Sequence, residues 1–338
     1  MVILAITLIF SFFITYFATP MFIKFFKEIG TESNDVHKEK KILVPMGGGI
    51  CVLSGILSGI FLYIALNTFV LKNSAGFIEL FSAVASILLI TISGFFDDLA
   101  SKQVTYEGFS YKKGLKQWQK PLLTLPAVVP LMVINAGVTS MSIPFFGVIE
   151  FGLIYPLLIV PIGIIGCANM VNLLGGFNGL EASLGIIYTL SLGLFSLYIG
   201  ETISGVILLS TTTSLLAFLI FNYYPAKVFP GDSLTYLLGG IIAVCAILAN
   251  MEKFALITMS LFLIEGLLKA RSLIDLKKFA SSLGVIDQKT GLLKSKYKKI
   301  YSLTHIAMGK NGSTEQQVVV KLAIFQTIIA FIPWVLYI

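Results

Sequence analysis

Residues 77–98 read FIELFSAVASILLITISGFFDD, from Phe77 to the adjacent carboxylates Asp97 and Asp98. After Glu79 no charge interrupts the run until that pair. Crossing ~30 Å of hydrocarbon takes a helix of about 20 mostly apolar residues, which is what this stretch offers. Comparable runs recur along the chain, at about 2–23, 46–70, 77–96, 120–138, 151–172, 180–199, 203–222, 234–250, 254–274 and 318–338. They predict an all-α fold: a polytopic membrane helix bundle of about ten spans, forming a single domain over 1–338. Composition agrees, with 57% apolar and 12% charged residues against about 45–50% and about 25% in a soluble domain. That excludes a soluble globule, a disordered tail and a fibrous repeat, and the alternation of a barrel is absent. The first run is too long for a signal peptide and lacks its small-residue cleavage site, so it reads as a membrane helix. Cys51, Cys167 and Cys245 lie far apart in apolar stretches and read as buried free thiols.

The formal net charge of +7 would suggest nucleic acid in a soluble chain. In a membrane chain it reports orientation, and no nucleic-acid partner is expected. The connection after the first run carries Lys24, Lys27, Lys38, Lys40 and Lys41, and that after the third carries Lys102, Lys112, Lys113, Lys116 and Lys120. Lys227 follows the seventh run, and a lysine-rich loop over roughly 275–317 follows the ninth, with Lys269 and Arg271 just before it. The opposite loops offer only Lys72 and Lys253. The odd-numbered connections are therefore expected in the cytoplasm and both termini outside, with Ser142 to Gly147 as an external turn or hairpin.

The unusual polar residues gather on that cytoplasmic side. Asp97 and Asp98 end the third run, where two adjacent carboxylates repel and are costly to bury. They read as an exposed helix end, or as a pair that attracts Mg²⁺ or takes a proton. Asn169-Met170-Val171-Asn172-Leu173-Leu174-Gly175-Gly176-Phe177-Asn178-Gly179-Leu180-Glu181 joins the fifth and sixth runs without a single Lys or Arg. Its amide carbonyls are hard oxygen donors, and its glycines allow close approach of the backbone to a ligand. Asp232, after Phe229-Pro230-Gly231, reads as a helix N-cap or as a metal ligand. In the first loop, Asn34-Asp35-Val36-His37-Lys38 precedes Met46-Gly47-Gly48-Gly49, a triple glycine that could bring the backbone near a ligand or another helix. His37 reads as a solvated loop histidine. Lys120 either snorkels to the interface or holds a phosphate. Glu265 is the single deep charge outside these groups, and it would be the mark of a transporter.

Together these motifs resemble the polyprenyl-phosphate N-acetylhexosamine-1-phosphate transferases, over about residues 30 to 295. The most specific matches are Asp97-Asp98, Asn169 to Glu181, and Phe229-Pro230-Gly231-Asp232. Gly175-Gly176-Phe177-Asn178-Gly179 is similar to the dolichyl-phosphate branch of archaea and eukaryotes. The wall-precursor branch has an Asp-Gly-x-Asp-Gly pattern there. The Pro-Arg-His-Arg run of the dolichyl branch is replaced by Phe279-Ala280-Ser281-Ser282. Either Arg271, Lys277 or Lys278 supplies its charge, or the donor is bound differently.

The resemblance implies transfer of GlcNAc-1-phosphate from UDP-GlcNAc to a dolichyl or polyprenyl phosphate, at the cytoplasmic face of the plasma membrane, in an archaeal cell. Another UDP-N-acetylhexosamine, or wall-precursor synthesis, is the alternative within the family. It implies Mg²⁺, with Mn²⁺ as a substitute, on Asn172 and Asp232. Lys120 would hold the acceptor phosphate, with Asp97 and Asp98 orienting it or taking its proton. Asn34, Asp35, Val36, Gly176 and Asn178 would bind the donor, Phe229 would stack on uracil, and Met46 would lie near the sugar. Ile165, Gly166, Cys167, Ala168 and Asn169 would line the acceptor lipid's groove. The partners are thus the two substrates and the bilayer, with a homodimer left open.

Overall fold

The computed structural model describes residues 1–338 apart from 39–41, 107–108, 117, 144–146 and 338. Lys40, Lys41 and the Pro144-Phe145-Phe146 tip lie outside the described residues, as do the side chains of Lys102, Lys112 and Lys113.

Helix α1 (Val2–Glu28) shows how the bundle is held. Its buried residues are Thr7, Ser11, Thr15, Thr19 and Phe26, while Ile9, Phe13, Phe17 and Met21 are exposed. A helix in lipid gains nothing from hiding apolar side chains, so its contact face is small and its outer face greasy. Helix α2 (Gly48–Leu71, with a π turn from Asn67) answers with Gly55 and Gly59. A Cβ at either would overlap the hydroxyls of Thr15 and Ser11.

Among the described residues, five further helices are long and apolar enough to span: α3 (Phe77–Ala100), α6 (Leu180–Tyr198), α7 (Thr202–Asn222), α8 (Gly231–Leu248) and α12 (Glu315–Tyr337). Helix α8 is apolar on all sides and almost wholly buried, as expected of a central helix. It packs on α3, α2 and α7. Glycines bring the backbones together: Gly94 lies over Asp232 and Ser233, Gly240 lies over Ile90, and Gly239 faces Cys167 and Ala168.

The other three expected spans are interrupted. Helix α4 (Gln119–Val133) passes through a 3₁₀ turn at Leu125–Val128, with Pro126 and Pro130 in its path. Helix α5 (Tyr155–Val171) begins with a π turn containing Pro156. Proline lacks the N–H and blocks the preceding carbonyl, so regular α geometry does not continue across it. The ninth span is split at Met259 into α9 (Glu252–Thr258) and α10 (Ser260–Leu276). A short α11 (Leu303–Met308) lies in the last loop.

Among the described residues, the connections contain four two-stranded antiparallel hairpins: β1 (Glu32–Asn34) with β2 (Leu43–Pro45), β3 (Lys102–Tyr106) with β4 (Phe109–Lys113), β5 (Ser140–Ile143) with β6 (Gly147–Glu150), and β7 (Val285–Ile286) with β8 (Leu293–Lys294). The third is the hairpin expected around Ser142 to Gly147. The triple glycine meets a neighbouring chain segment: the N–H groups of Gly47 and Gly48 donate to Phe229 O, and Phe229 N donates to Pro45 O at 2.7 Å. The first and seventh connections thereby become one wall.

Candidate active site

At the end of the bundle where the first, fifth, seventh and ninth connections meet, a cavity of about 410 Å³ opens. Asn34, Asp35, Val36, Met46, Asn172, Gly176, Asn178, Phe229 and Asp232 all line it, with Ser282 and Leu283 from the last loop. Nine residues expected at a donor or metal site, from three separate connections, therefore share one space. Gly176 turns there with φ +95°, a conformation that side chains rarely adopt. The turn is held from behind by Glu181, whose carboxylate accepts the Gly176 N–H at 2.8 Å.

Asp232 is the meeting point of the charges. Lys120 Nζ lies 2.6 Å from its Oδ2 and 2.7 Å from Asp97 Oδ2. Lys120 is buried, so it does not snorkel but bridges two carboxylates. Asp97 is fully buried, and its other oxygen accepts the Leu115 N–H. Asp98 is spent on a different task. Its Oδ1 accepts the Asp232 N–H at 2.7 Å and its Oδ2 the Ser233 N–H at 3.1 Å. Free N–H groups and the positive end of the helix dipole favour a carboxylate at that place. Asp98 thus caps α8, and the N-cap reading of Asp232 is corrected: its own side chain makes no cap. Asn172 reaches the same helix: the single Thr235 hydroxyl proton is shared between Asn172 Oδ1 at 3.2 Å and Asp232 O at 3.1 Å.

The expected lipid-lining residues lie on α5, which leads into Asn172, and outside the cavity wall. Gly166 is exposed, and Ile165, Cys167 and Asn169 are half-buried. Ala168 is fully buried beside Gly239, so its surface is taken by α8. Asn169 Nδ2 donates to Ile165 O on its own helix.

The expectation for His37 is corrected as well. It is buried, stacks on Phe177 with ring centroids 4.6 Å apart, and faces Glu315. Arg271, Lys277 and Lys278, the candidates for the charge of the missing Arg-His-Arg run, do not line the cavity. Arg271 is half-exposed and lies over Tyr301 beside Asp275. Buried Lys269 instead donates to Ala280 O at 2.8 Å and Ser282 Oγ at 2.6 Å. Glu265 pairs with Lys269 at 3.3 Å and accepts from Ser302 Oγ and Leu303 N–H, so the deep acid braces the last loop and marks no transport path. His305 completes the brace. Its Nδ1 accepts the Tyr301 N–H, which leaves Nε2 to donate to Ser281 O at 3.0 Å. Burial lowers its pKa to about 4. Two of these residues left a trace in the sequence, since Glu265 and Lys269 stand four apart inside an apolar run. Glu315 and His305 left none.

Among the described residues, three acids line the cavity (Asp35, Glu181 and Asp232) and no Lys or Arg does. Such a wall repels a bare diphosphate. The hard oxygens of Asp232 and Asn172 are of the kind that suits Mg²⁺.

Residues 80–250 match glycosyl transferase family 4, and the chain belongs to that family. A Saccharolobus solfataricus protein with the provisional name UDP-N-acetylglucosamine–dolichyl-phosphate N-acetylglucosaminephosphotransferase is 34% identical over 96% of this chain and 94% of its own length. A Sulfolobus acidocaldarius protein of the same provisional name is 32% identical, over 90% and 87%. The phospho-N-acetylmuramoyl-pentapeptide-transferase of Halalkalibacterium halodurans is 34% identical over 78% of this chain and 81% of its own.

Proposed function

We propose that this enzyme transfers GlcNAc-1-phosphate from UDP-GlcNAc to a dolichyl or polyprenyl phosphate, releasing UMP and opening the assembly of a lipid-linked glycan. The observation that carries the reading is the cavity itself: an acid-lined chamber at one end of a membrane bundle, with one buried lysine behind its central carboxylate. Near-full-length likeness to the two archaeal relatives favours the dolichyl branch, as does the aspartate-free turn at Gly175 to Gly179. The lysine-rich connections support a cytoplasmic position for this end with both termini outside, and the two archaeal relatives support an archaeal source.

Asp232 and Asn172 would hold Mg²⁺, which Mn²⁺ can replace. Held by these two residues, such an ion would supply positive charge to offset that of the donor's diphosphate and of the leaving UMP. Asn34, Asp35, Val36 and Asn178 bind uridine, Phe229 stacks on uracil, and Met46 and Gly176 lie by the sugar phosphate. Lys120 holds the acceptor phosphate at the inner edge of the cavity, and Asp97 orients that lysine. An oxygen of the lipid phosphate attacks the sugar-bound phosphorus of the donor. A P–O bond forms, the bond to the UMP oxygen breaks, and a diphosphate links lipid to sugar. Lipid phosphate is already largely ionised near pH 7, so little base catalysis is needed. The prenyl chain stays in the bilayer along α5, past Ile165, Gly166, Cys167 and Asn169.

Mass spectrometry of the product from UDP-GlcNAc and a polyprenyl phosphate tests the proposal. Polyprenyl-diphosphate-GlcNAc with UMP is expected, chelation should abolish it, and Mn²⁺ should partly restore it. A monophosphate-linked sugar, or release of UDP, refutes it.

A further inference from the structure

Glu315 opens α12, far in sequence from every stretch that lines the cavity. It is 5% exposed and does not line the cavity wall. Its Oε1 accepts the Asn178 N–H at 2.7 Å, and its Oε2 accepts from Lys38 Nζ at 3.2 Å. His37 Nδ1 lies 3.5 Å from Oε1. The Asn178 side chain then donates to Asp35 Oδ2 at 3.1 Å, and Asp35 Oδ1 accepts the His37 N–H. One carboxylate thus ties the first connection, the fifth connection and the last helix together. Lys38 also lies over the Tyr224 ring at 3.6 Å, which draws in the seventh.

Asp35, His37 and Glu315 present ligand atoms within 4.8 Å of one another, a spacing that a metal ion could fill. Every carboxylate oxygen of the group already accepts a hydrogen bond, however, and the Lys38 ammonium stands 3.2 Å from one and 3.6 Å from another. Hydrogen bonds close the group as a clasp.

We infer that Glu315 is a positioning residue for the donor: it fixes Asn178 and Asp35 against each other, and so sets the part of the wall that binds the nucleotide. This rests on the donor reading above. A carboxylate is required because it alone can accept from a backbone N–H and an ammonium at once. Glutamine keeps one acceptor and turns an NH₂ group toward Lys38.

The test is UDP binding to the purified full-length protein with Mg²⁺, measured by calorimetry, beside Michaelis constants for donor and lipid phosphate. Glu315→Gln and Glu315→Ala should each weaken UDP binding and raise the donor constant on the order of 10-fold, as loss of a buried charge-assisted contact does. The lipid constant should stay within about twofold. Adding Lys38→Met should rescue Glu315→Gln, because the ammonium that glutamine cannot serve is gone. It should not rescue Glu315→Ala, whose Asn178 N–H stays unpaired. Equal rises in both Michaelis constants, or rescue of the alanine variant, would overturn the role of Glu315. So would wild-type UDP binding left intact in Glu315→Ala. A wild-type protein that binds no UDP refutes the donor reading itself and Glu315's part in it.

Discussion

Asp98→Asn separates a carboxylate that anchors a helix from one that takes a proton. Asp98 accepts two backbone N–H groups at the start of α8, at 2.7 and 3.1 Å, while buried to 1% exposure. Hydrogen bonds to a charged group contribute about 1.5–3 kcal/mol each, and a buried donor left unpaired costs about 1–3 kcal/mol. Asparagine keeps one acceptor oxygen, sets an NH₂ against the other N–H, and loses the charge that the helix dipole favours by about 0.3–2 kcal/mol. The unpaired donor and the lost dipole attraction together make a loss of roughly 1–5 kcal/mol. It falls on the turn that carries Asp232, so metal binding should weaken with it. Thermal unfolding in detergent and Mn²⁺ titration by electron paramagnetic resonance measure the two. Both should fall together in Asp98→Asn, and turnover should recover in part at raised Mg²⁺. If turnover vanished while unfolding temperature and Mn²⁺ affinity stayed at wild-type values, Asp98 would be acting on the substrate and the anchoring argument would be wrong.

Other outcomes follow from the same geometry. Lys120→Ala should raise the Michaelis constant for lipid phosphate more than that for UDP-GlcNAc, and steady-state kinetics with each substrate varied will show whether it does. Asp232→Asn should cut turnover by at least ~10²-fold in a folded protein, since charge stabilisation of the leaving group is lost; the assay is UMP release. Cysteines placed at Lys227 and Lys294 should resist impermeant reagents in intact cells, whereas one at Lys72 should react; external labelling at Lys227 would invert the proposed orientation. His305 is neutral in the fold because its pKa is lowered from 6.5 to about 4. The unfolded chain takes up the proton first, so stability should decline as pH falls from about 6.5 to 4, by at most about 3 kcal/mol. Denaturation as a function of pH should show that slope, and His305→Gln should flatten it.

The membrane bundle was readable because burial in lipid writes itself as length and hydropathy, which need no knowledge of partners. The same signal overestimated continuity at α4 and α5, since hydropathy is blind to what Pro126, Pro130 and Pro156 do to a helix. The cavity wall was readable as residue types: Asn34, Asn172, Asn178 and Asp232 are costly at a membrane boundary unless they serve something. What could not be read was who holds whom. Asp98 and Asp97 are neighbours in sequence, yet one caps α8 and the other pairs with Lys120. A helix turn of about 100° per residue sends them to different partners. His37 was misjudged for the same reason, because the surface that buries it comes from Phe177 and Glu315.

The brokenness of α4 and α5 has a consequence for the lipid around them. Fifteen and seventeen residues at 1.5 Å each rise only about 22 and 26 Å, short of the ~30 Å of an ordinary hydrocarbon layer. The two are neighbours, so the deficit falls on one flank of the molecule. A bilayer meets such a deficit by thinning, at a fraction of a kcal/mol per Å. Thinning of the nearer leaflet on that flank would bring the headgroup plane toward Lys120 at the start of α4. A prenyl phosphate drifting in from the side would arrive with its head already lowered to the level of the buried lysine.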